Sequence, residues 1–191
     1  MIKITFPDNS VKEFESGITP LQIAESISPR LAQEVLAATV DGQEWDLSRS
    51  INADAAIKLF KWDDPEGKHA FWHSSAHLLA EALQELYPGI KFGIGPAIEN
   101  GFYYDLDRET PFVAEDLEKI EKEMKKIIKK GAKIERFTKS REDAIAFFKE
   151  KNEPYKVELI EDLPEGEEIS FYSQGDWTDL CAGPHLMSVK G

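Results

Sequence analysis

The sequence predicts an α+β protein in two parts: a small strand-rich domain over 1–62 and, over 63–191, a domain in which an antiparallel sheet packs on helices. Three observations carry this. Short apolar–polar alternations such as Ile2-Lys3-Ile4 crowd the first sixty residues, whereas 70–87 and 114–130 repeat apolar residues at helical spacing. Between the two patterns, Trp62-Asp63-Asp64-Pro65-Glu66-Gly67-Lys68 is polar and holds both Pro and Gly, the composition of a linker.

In the first part, 2–6 reads as a strand, Asp8-Asn9-Ser10 as a turn and 11–14 as a second strand. Thr19 and Pro20 supply an N-cap and a first helical residue, with Ile23, Ala24 and Ile27 on one buried face. Strands follow at 36–40 and 57–60, the first ending in an Asp41-Gly42 turn. The order is β-grasp-like. No catalytic group stands out in it, so binding or assembly is the expected task.

In the second part a helix over 70–87 buries Phe71, Leu78, Leu79, Ala82, Leu83 and Leu86 and ends at Pro88-Gly89. Strands at 91–98 and 102–106 flank Asn100-Gly101, a pair suited to a type I′ hairpin turn. The 114–130 helix places Leu117, Ile120, Met124, Ile127 and Ile128 on one side and is capped by Gly131. Ser140 and Asp143 open a further helix to 149, which Pro154 stops; strands near 155–160 and 169–173 lead into a cysteine-containing loop. There is no internal repeat and no low-complexity tract.

Composition narrows the function. With 41% hydrophobic residues in 191 the chain can build packed cores, yet no apolar run approaches the roughly 20 residues of a membrane span. The start, Met1-Ile2-Lys3-Ile4-Thr5-Phe6, lacks a secretory signal's apolar stretch, and one cysteine cannot form an internal disulfide, so a reducing cytoplasmic setting is expected. A net charge of −13 argues against generic adhesion to nucleic acid. A local basic stripe runs from Lys119 through Lys122, Lys125, Lys126, Lys129, Lys130 and Lys133 to Arg136, Lys139 and Arg141. It is either the solvated face of an amphipathic helix or a surface for phosphates.

Three of the four histidines and the single cysteine fall in two groups of like spacing, His73-Ser-Ser-Ala-His77 and Cys181-Ala-Gly-Pro-His185. On a helix His73 and His77 share a face. Gly183 and Pro184 make a regular helix unsuitable for Cys181 and His185, but a turn can aim both at one place. Two readings stay open: a tetrahedral zinc site formed by all four, or a hydrolytic pocket without metal. The zinc-protease pattern His-Glu-x-x-His is absent, because Ser74 stands where the general base belongs. His69 suits a helix start or the surface.

The segments His73-Ser-Ser-Ala-His77-Leu-Leu-Ala, Gly93-Ile-Gly95-Pro96, Glu99-Asn-Gly-Phe-Tyr-Tyr104-Asp and Asp179-Leu-Cys181-Ala-Gly-Pro-His185 resemble the editing region of bacterial threonyl-tRNA synthetases. The first sixty residues resemble the β-grasp TGS domain that opens those enzymes. The resemblance implies proofreading: hydrolysis of serine from tRNA for threonine, in a pocket that admits serine and excludes the larger threonine. It makes His73 and His77 candidates to position water or the terminal adenosine, Lys156 to orient water or steady charge, and Asp179 to hold the amino group of the serine. Tyr104, Tyr172, Cys181, His185 and Gly95 would shape the pocket. From the residues alone, Lys156 reads as an exposed strand lysine, Tyr104 and Tyr172 as strand tyrosines, and Asp179 as a turn cap.

The same resemblance implies no metal and no other cofactor in this region. ATP, Mg and Zn would belong to a class II catalytic core whose motifs this sequence lacks, so an N-terminal fragment is expected. Its partners would be the acceptor end of tRNA for threonine and the remainder of the synthetase, a homodimer; no membrane is implied. Two alternatives remain: a zinc-binding regulatory or RNA-binding module, and a trans-editing hydrolase of the alanyl type, whose domains share these spacings and bind zinc.

Overall fold

The computed structural model describes residues 1–190, which divide into two compact units, Met1–Trp72 with Gly183–Met187 and His73–Ala182 with the chain end from Ser188.

In the first unit β1 (Ile2–Thr5), β2 (Val11–Phe14), β3 (Ala37–Val40), β4 (Gln43–Trp45) and β5 (Ala55–Phe60) form one sheet in the order β2-β1-β5-β3-β4. The β1–β5 pair is parallel and the others are antiparallel. Ile2 and Ile4 alternate inward along β1 and join Ile23, Val40, Ile51 and Ile57 in the core. Helix α1 (Pro20–Ile27) supplies Ile23. Its capping box is complete: Thr19 Oγ1 accepts from Gln22 N–H at 3.3 Å and Gln22 Oε1 accepts from Thr19 N–H at 3.0 Å. A second helix, α2 (Pro29–Glu34), was not foreseen, although Ser28-Pro29 repeats the Thr19-Pro20 signal and Ser28 caps it. At the expected Asp41-Gly42 turn both residues have positive φ, 50° and 78°, as a type I′ turn requires.

Helix α3 (Pro65–Leu86) starts five residues before its expected position, so the stretch read as a linker is partly its first turn. Asp64 Oδ2 accepts from Lys61 N–H at 2.8 Å just before Pro65. Gly67 does not break the helix. A Cβ there would sit 2.0 Å from the Lys61 carbonyl oxygen, so a bare Cα is needed for the chain to fold back this closely.

The second unit is built on an antiparallel sheet of β10 (Ile134–Lys139), β11 (Ile169–Gln174) and β12 (Trp177–Leu180). Gly175-Asp176 makes the two-residue turn between β11 and β12. Helix α5 (Arg141–Glu150) starts at the expected Ser140 cap, whose Oγ accepts from Asp143 N–H at 3.1 Å. Pro154 does stop it, but also opens α6 (Pro154–Asp162) where a strand was expected over 155–160. The Tyr-x-Val-x-Leu alternation misled: Lys156, Val157 and Ile160 are the buried set, a helical spacing, and Tyr155 and Leu159 face outward. Val157 and Ile160 pack with Ala144, Phe148, Ile169 and Phe171.

Helix α4 (Ala114–Lys130) has the expected bounds and an αL Gly131 cap, but Leu117, expected inside, is 62% exposed. Ile120 and Ile127 are buried as expected, Met124 and Ile128 pack against them, and Asp116 and Glu123 join the inner face. The expected hairpin at 91–106 is broken into two short ladders. One pairs β6 (Lys91–Phe92) with β9 (Leu106–Asp107), the other β7 (Ala97–Ile98) with β8 (Gly101–Phe102). The turn lies at Glu99-Asn100, one residue earlier than expected, and Tyr104 falls in irregular backbone between β8 and β9 rather than on a strand.

Candidate functional site

Helix α3 carries His73 and His77 one turn apart, their rings edge to face with centroids 5.4 Å apart. Strand β12 meets them. Its two-residue period puts Trp177 and Asp179 on one face, with Cys181 next in the alternation as the chain leaves the strand. Cys181 is held to β11, its N–H donating to the Ser170 carbonyl at 3.1 Å and its carbonyl accepting from Ser170 Oγ at 2.5 Å. Its Sγ lies 3.1 Å from His73 Nε2. The Trp177 ring stands edge to face against His77 at 5.1 Å, and its indole N–H donates to Gln84 Oε1 at 2.9 Å.

Beside this lies a buried ion pair. Lys156, carried inward by α6, places Nζ 3.1 Å from Asp179, and both side chains are about nineteen parts in twenty buried (5% and 6% exposed). Tyr104 donates its hydroxyl to Asp179 Oδ2 at 2.9 Å, and its oxygen is 3.4 Å from Lys156 Nζ. Gly95 makes room for that tyrosine, since a Cβ there would meet the ring at 2.4 Å. Tyr172 pairs directly across from Asp179 in the β11–β12 register and is buried. Burial of two opposite charges is tolerable only when the hydrogen bonds around them are complete, as they are here.

The electrostatics separate the roles available to each group. Burial lowers the His77 pKa from 6.5 to about 3; the Asp179 charge opposes this and His73 and Lys156 add to it. His77 is therefore a neutral imidazole near pH 7, able to orient a group but not to arrive charged. Burial first, then the Asp179 charge and hydrogen bond, push the Tyr104 phenol far above its usual range, so it serves as a hydrogen-bond donor.

Eight of the nine expected site residues thus lie in the second unit: His73, His77, Gly95, Tyr104, Lys156, Tyr172, Asp179 and Cys181. His185 belongs to the Gly183–Met187 segment of the first unit, where it is buried and its N–H donates to Asp46 Oδ1 at 3.0 Å. Three of the readings from the residues alone fail, Tyr104 not being on a strand. Lys156 is a buried helical residue, not an exposed strand lysine, and Asp179 is the centre of a hydrogen-bonded cluster, not a turn cap. Trp177 and Gln84 were missed; the Trp177-x-Asp179-x-Cys181 alternation was the signal that could have found the first.

The ligand-capable atoms of His73, His77 and Cys181 all lie within 4.8 Å of one another. Zinc with bonds of about 2.0–2.3 Å needs tetrahedral edges of roughly 3.3–3.8 Å, so this donor set fits a metal only after closing inward.

Residues 2–61 match the TGS domain family. Over all 191 residues the chain is 63% identical to a threonine–tRNA ligase of Parabacteroides distasonis, covering 29% of that protein. It is 60% identical to the threonine–tRNA ligase of Acetivibrio thermocellus over 99% of this chain and 30% of the relative. A Porphyromonas gingivalis threonine–tRNA ligase is 61% identical over 97% and 29% respectively. Fold and site together define a TGS-bearing α+β chain with a buried polar centre. By sequence it is similar to threonine–tRNA ligases, and it spans about three tenths of the length of the curated relatives it matches.

Proposed function

We propose that this chain proofreads tRNA for threonine, hydrolysing the ester that joins misattached serine to the terminal ribose. The supporting observation is the buried Lys156–Asp179–Tyr104 cluster, a charged recognition centre beside a histidine–cysteine pair. Threonine differs from serine by one methyl, worth only about 1–3 kcal/mol in a binding pocket, so a synthetic site needs a second sieve. In that reaction water attacks the acyl carbon and the bond to the ribose oxygen breaks. The proton lost by water ends on the ribose hydroxyl, leaving serine and free tRNA.

Within this reading Asp179 takes the α-ammonium of serine, and Tyr104, Gly95 and Tyr172 hold Asp179 and bound the acyl pocket. His73, with its Nε2 at the Cys181 thiol, positions the water or the terminal adenosine, and His77 keeps it in place as a neutral neighbour. Lys156 steadies the charge that develops on the ester oxygen. Cys181 shapes the pocket, which works without a metal. Residues 1–62 form the TGS domain and 63–191 the editing domain. The partners are the acceptor end of tRNA for threonine and the rest of the synthetase, and the setting is the cytoplasm. Among the described residues no helix is long and apolar enough to cross a membrane.

One assay tests this. The chain, treated with chelator, is given seryl- and threonyl-tRNA for threonine. Release of serine well above the spontaneous rate, with threonyl-tRNA spared, is expected. Equal release of both, or none, would refute the reading, and activity restored only by zinc would favour a metal site.

A further inference from the structure

Asp179 has no acceptor direction to spare. Oδ1 accepts from the Leu180 N–H at 2.8 Å and lies 3.1 Å from Lys156 Nζ, while Oδ2 accepts from the Tyr104 hydroxyl at 2.9 Å and from Lys156 Nζ at 3.1 Å. A carboxylate offers about four lone-pair sites, and here three donors surround it with the Lys156 ammonium spanning both oxygens. A ligand ammonium can reach this carboxylate only by removing one of the present donors. The Leu180 N–H is fixed in β12, and the Tyr104 ring is clamped by Gly95. Lys156 alone combines a flexible four-carbon stem with the same charge and donor geometry as an α-ammonium. Two ammonium groups sharing one carboxylate in a site this dry would repel each other with little screening.

We propose that Lys156 is a resident stand-in for the substrate's α-ammonium: an aminoacyl ester binds by displacing Nζ from Asp179, and only then is Lys156 released toward the reacting ester. This rests on the proofreading reading and deepens it in two ways. The site selects for a free α-amino group by exchange of like for like. In the empty site the Lys156 charge is sequestered, so hydrolytic competence comes with the amino group. The Tyr104 oxygen, 3.4 Å from Nζ, is a partner that keeps the displaced lysine near the site.

The test uses two non-hydrolysable probes, the serine amide of 3′-amino-3′-deoxyadenosine and the same compound with the serine α-amino group replaced by hydroxyl. The chain is labelled in its lysine side chains, and the Lys156 Nζ signal is followed by NMR. Displacement predicts that the amine-bearing probe moves this signal and the hydroxyl probe, even at saturation, leaves it in place. In Lys156→Met the amine probe should bind about fivefold tighter or more, since no internal cation competes, while hydrolysis of seryl-tRNA collapses. Should that variant fail to fold, the NMR comparison on the unmodified chain decides alone. Equal shifts with both probes, no shift with either bound, or weaker binding to folded Lys156→Met would overturn the displacement while leaving proofreading intact. Failure of both probes to bind would overturn both.

Discussion

The chemistry of single residues here is set by burial more than by residue type. His77 and His73 are the same side chain one helical turn apart, yet His77 is buried against Trp177 and its pKa falls from 6.5 to about 3. A depressed folded-state pKa means that the unfolded chain binds the proton first. This contribution to stability is complete above about pH 6.5 and is lost as pH falls toward 3. From this one group a loss of about 2–3 kcal/mol is expected between pH 7 and 4.5, at up to about 1.4 kcal/mol per unit. Urea unfolding at several pH values, with chelator present, checks it against His77→Phe, which keeps an aromatic ring and cannot titrate. The variant should unfold with a slope shallower by nearly one proton across this window. Parallel slopes would mean that burial does not move the His77 pKa from its unfolded value.

At the scale of elements, legibility followed local signals. Thr19-Pro20, Ser140 with Asp143, and the Gly131 cap each mark an end through hydrogen bonds made within a few residues, and all three stand as expected. What failed depends on contacts distant in sequence. Tyr155–Ile160 reads as a strand until the core of Phe148, Ile169 and Phe171 selects Val157 and Ile160 as its inner face. Lys156, which a sequence places on the surface by default, goes inward only because Asp179 waits 23 residues away. At Gly67 a distant contact reverses the usual effect of a helical glycine. In an ordinary helix Gly→Ala gains about 1 kcal/mol. Here the added Cβ would fall 2.0 Å from the Lys61 carbonyl oxygen, so Gly67→Ala should destabilise by about 1–3 kcal/mol or more. Chemical denaturation measures this directly, and a stabilised variant would mean that the helix start is not held against Lys61.

For the molecule as a whole, the His73–His77 spacing and Cys181 point to where the polar centre lies, but spacing could not show which other side chains join it. That required β12 to lie against α3 and α6 within one unit, a property of topology rather than of motif. Charge behaves in the same way. The basic stripe is continuous in sequence, yet in three dimensions most of it is already committed. Lys119 pairs with Asp116, Lys125 with Glu121, Lys126 with Glu123, Lys130 with Glu85 and Arg136 with Glu168. Arg141 instead donates to the carbonyls of Ile160, Leu163 and Pro164. Beyond Gly131 the stripe runs from Lys133 along β10 to Arg141, the first residue of α5, and is no longer one helix face. Lys122, Lys129, Lys133 and Lys139 have no ion pair among the described residues; Lys139 Nζ lies over the Phe137 and Phe147 rings, which leaves Lys122, Lys129 and Lys133 for a phosphate backbone. On the proposed reading, and with a net charge of −13 behind them, tRNA affinity should fall with salt at a log–log slope of about −3, the value for roughly three released counterions. Lys129→Glu should reduce that slope by about one; Lys130→Glu should act mainly on stability, by placing a carboxylate beside Glu85. A slope several times steeper, or one unmoved by Lys129→Glu, would show that tRNA is gripped through other cations and that this face of α4 is simply solvated.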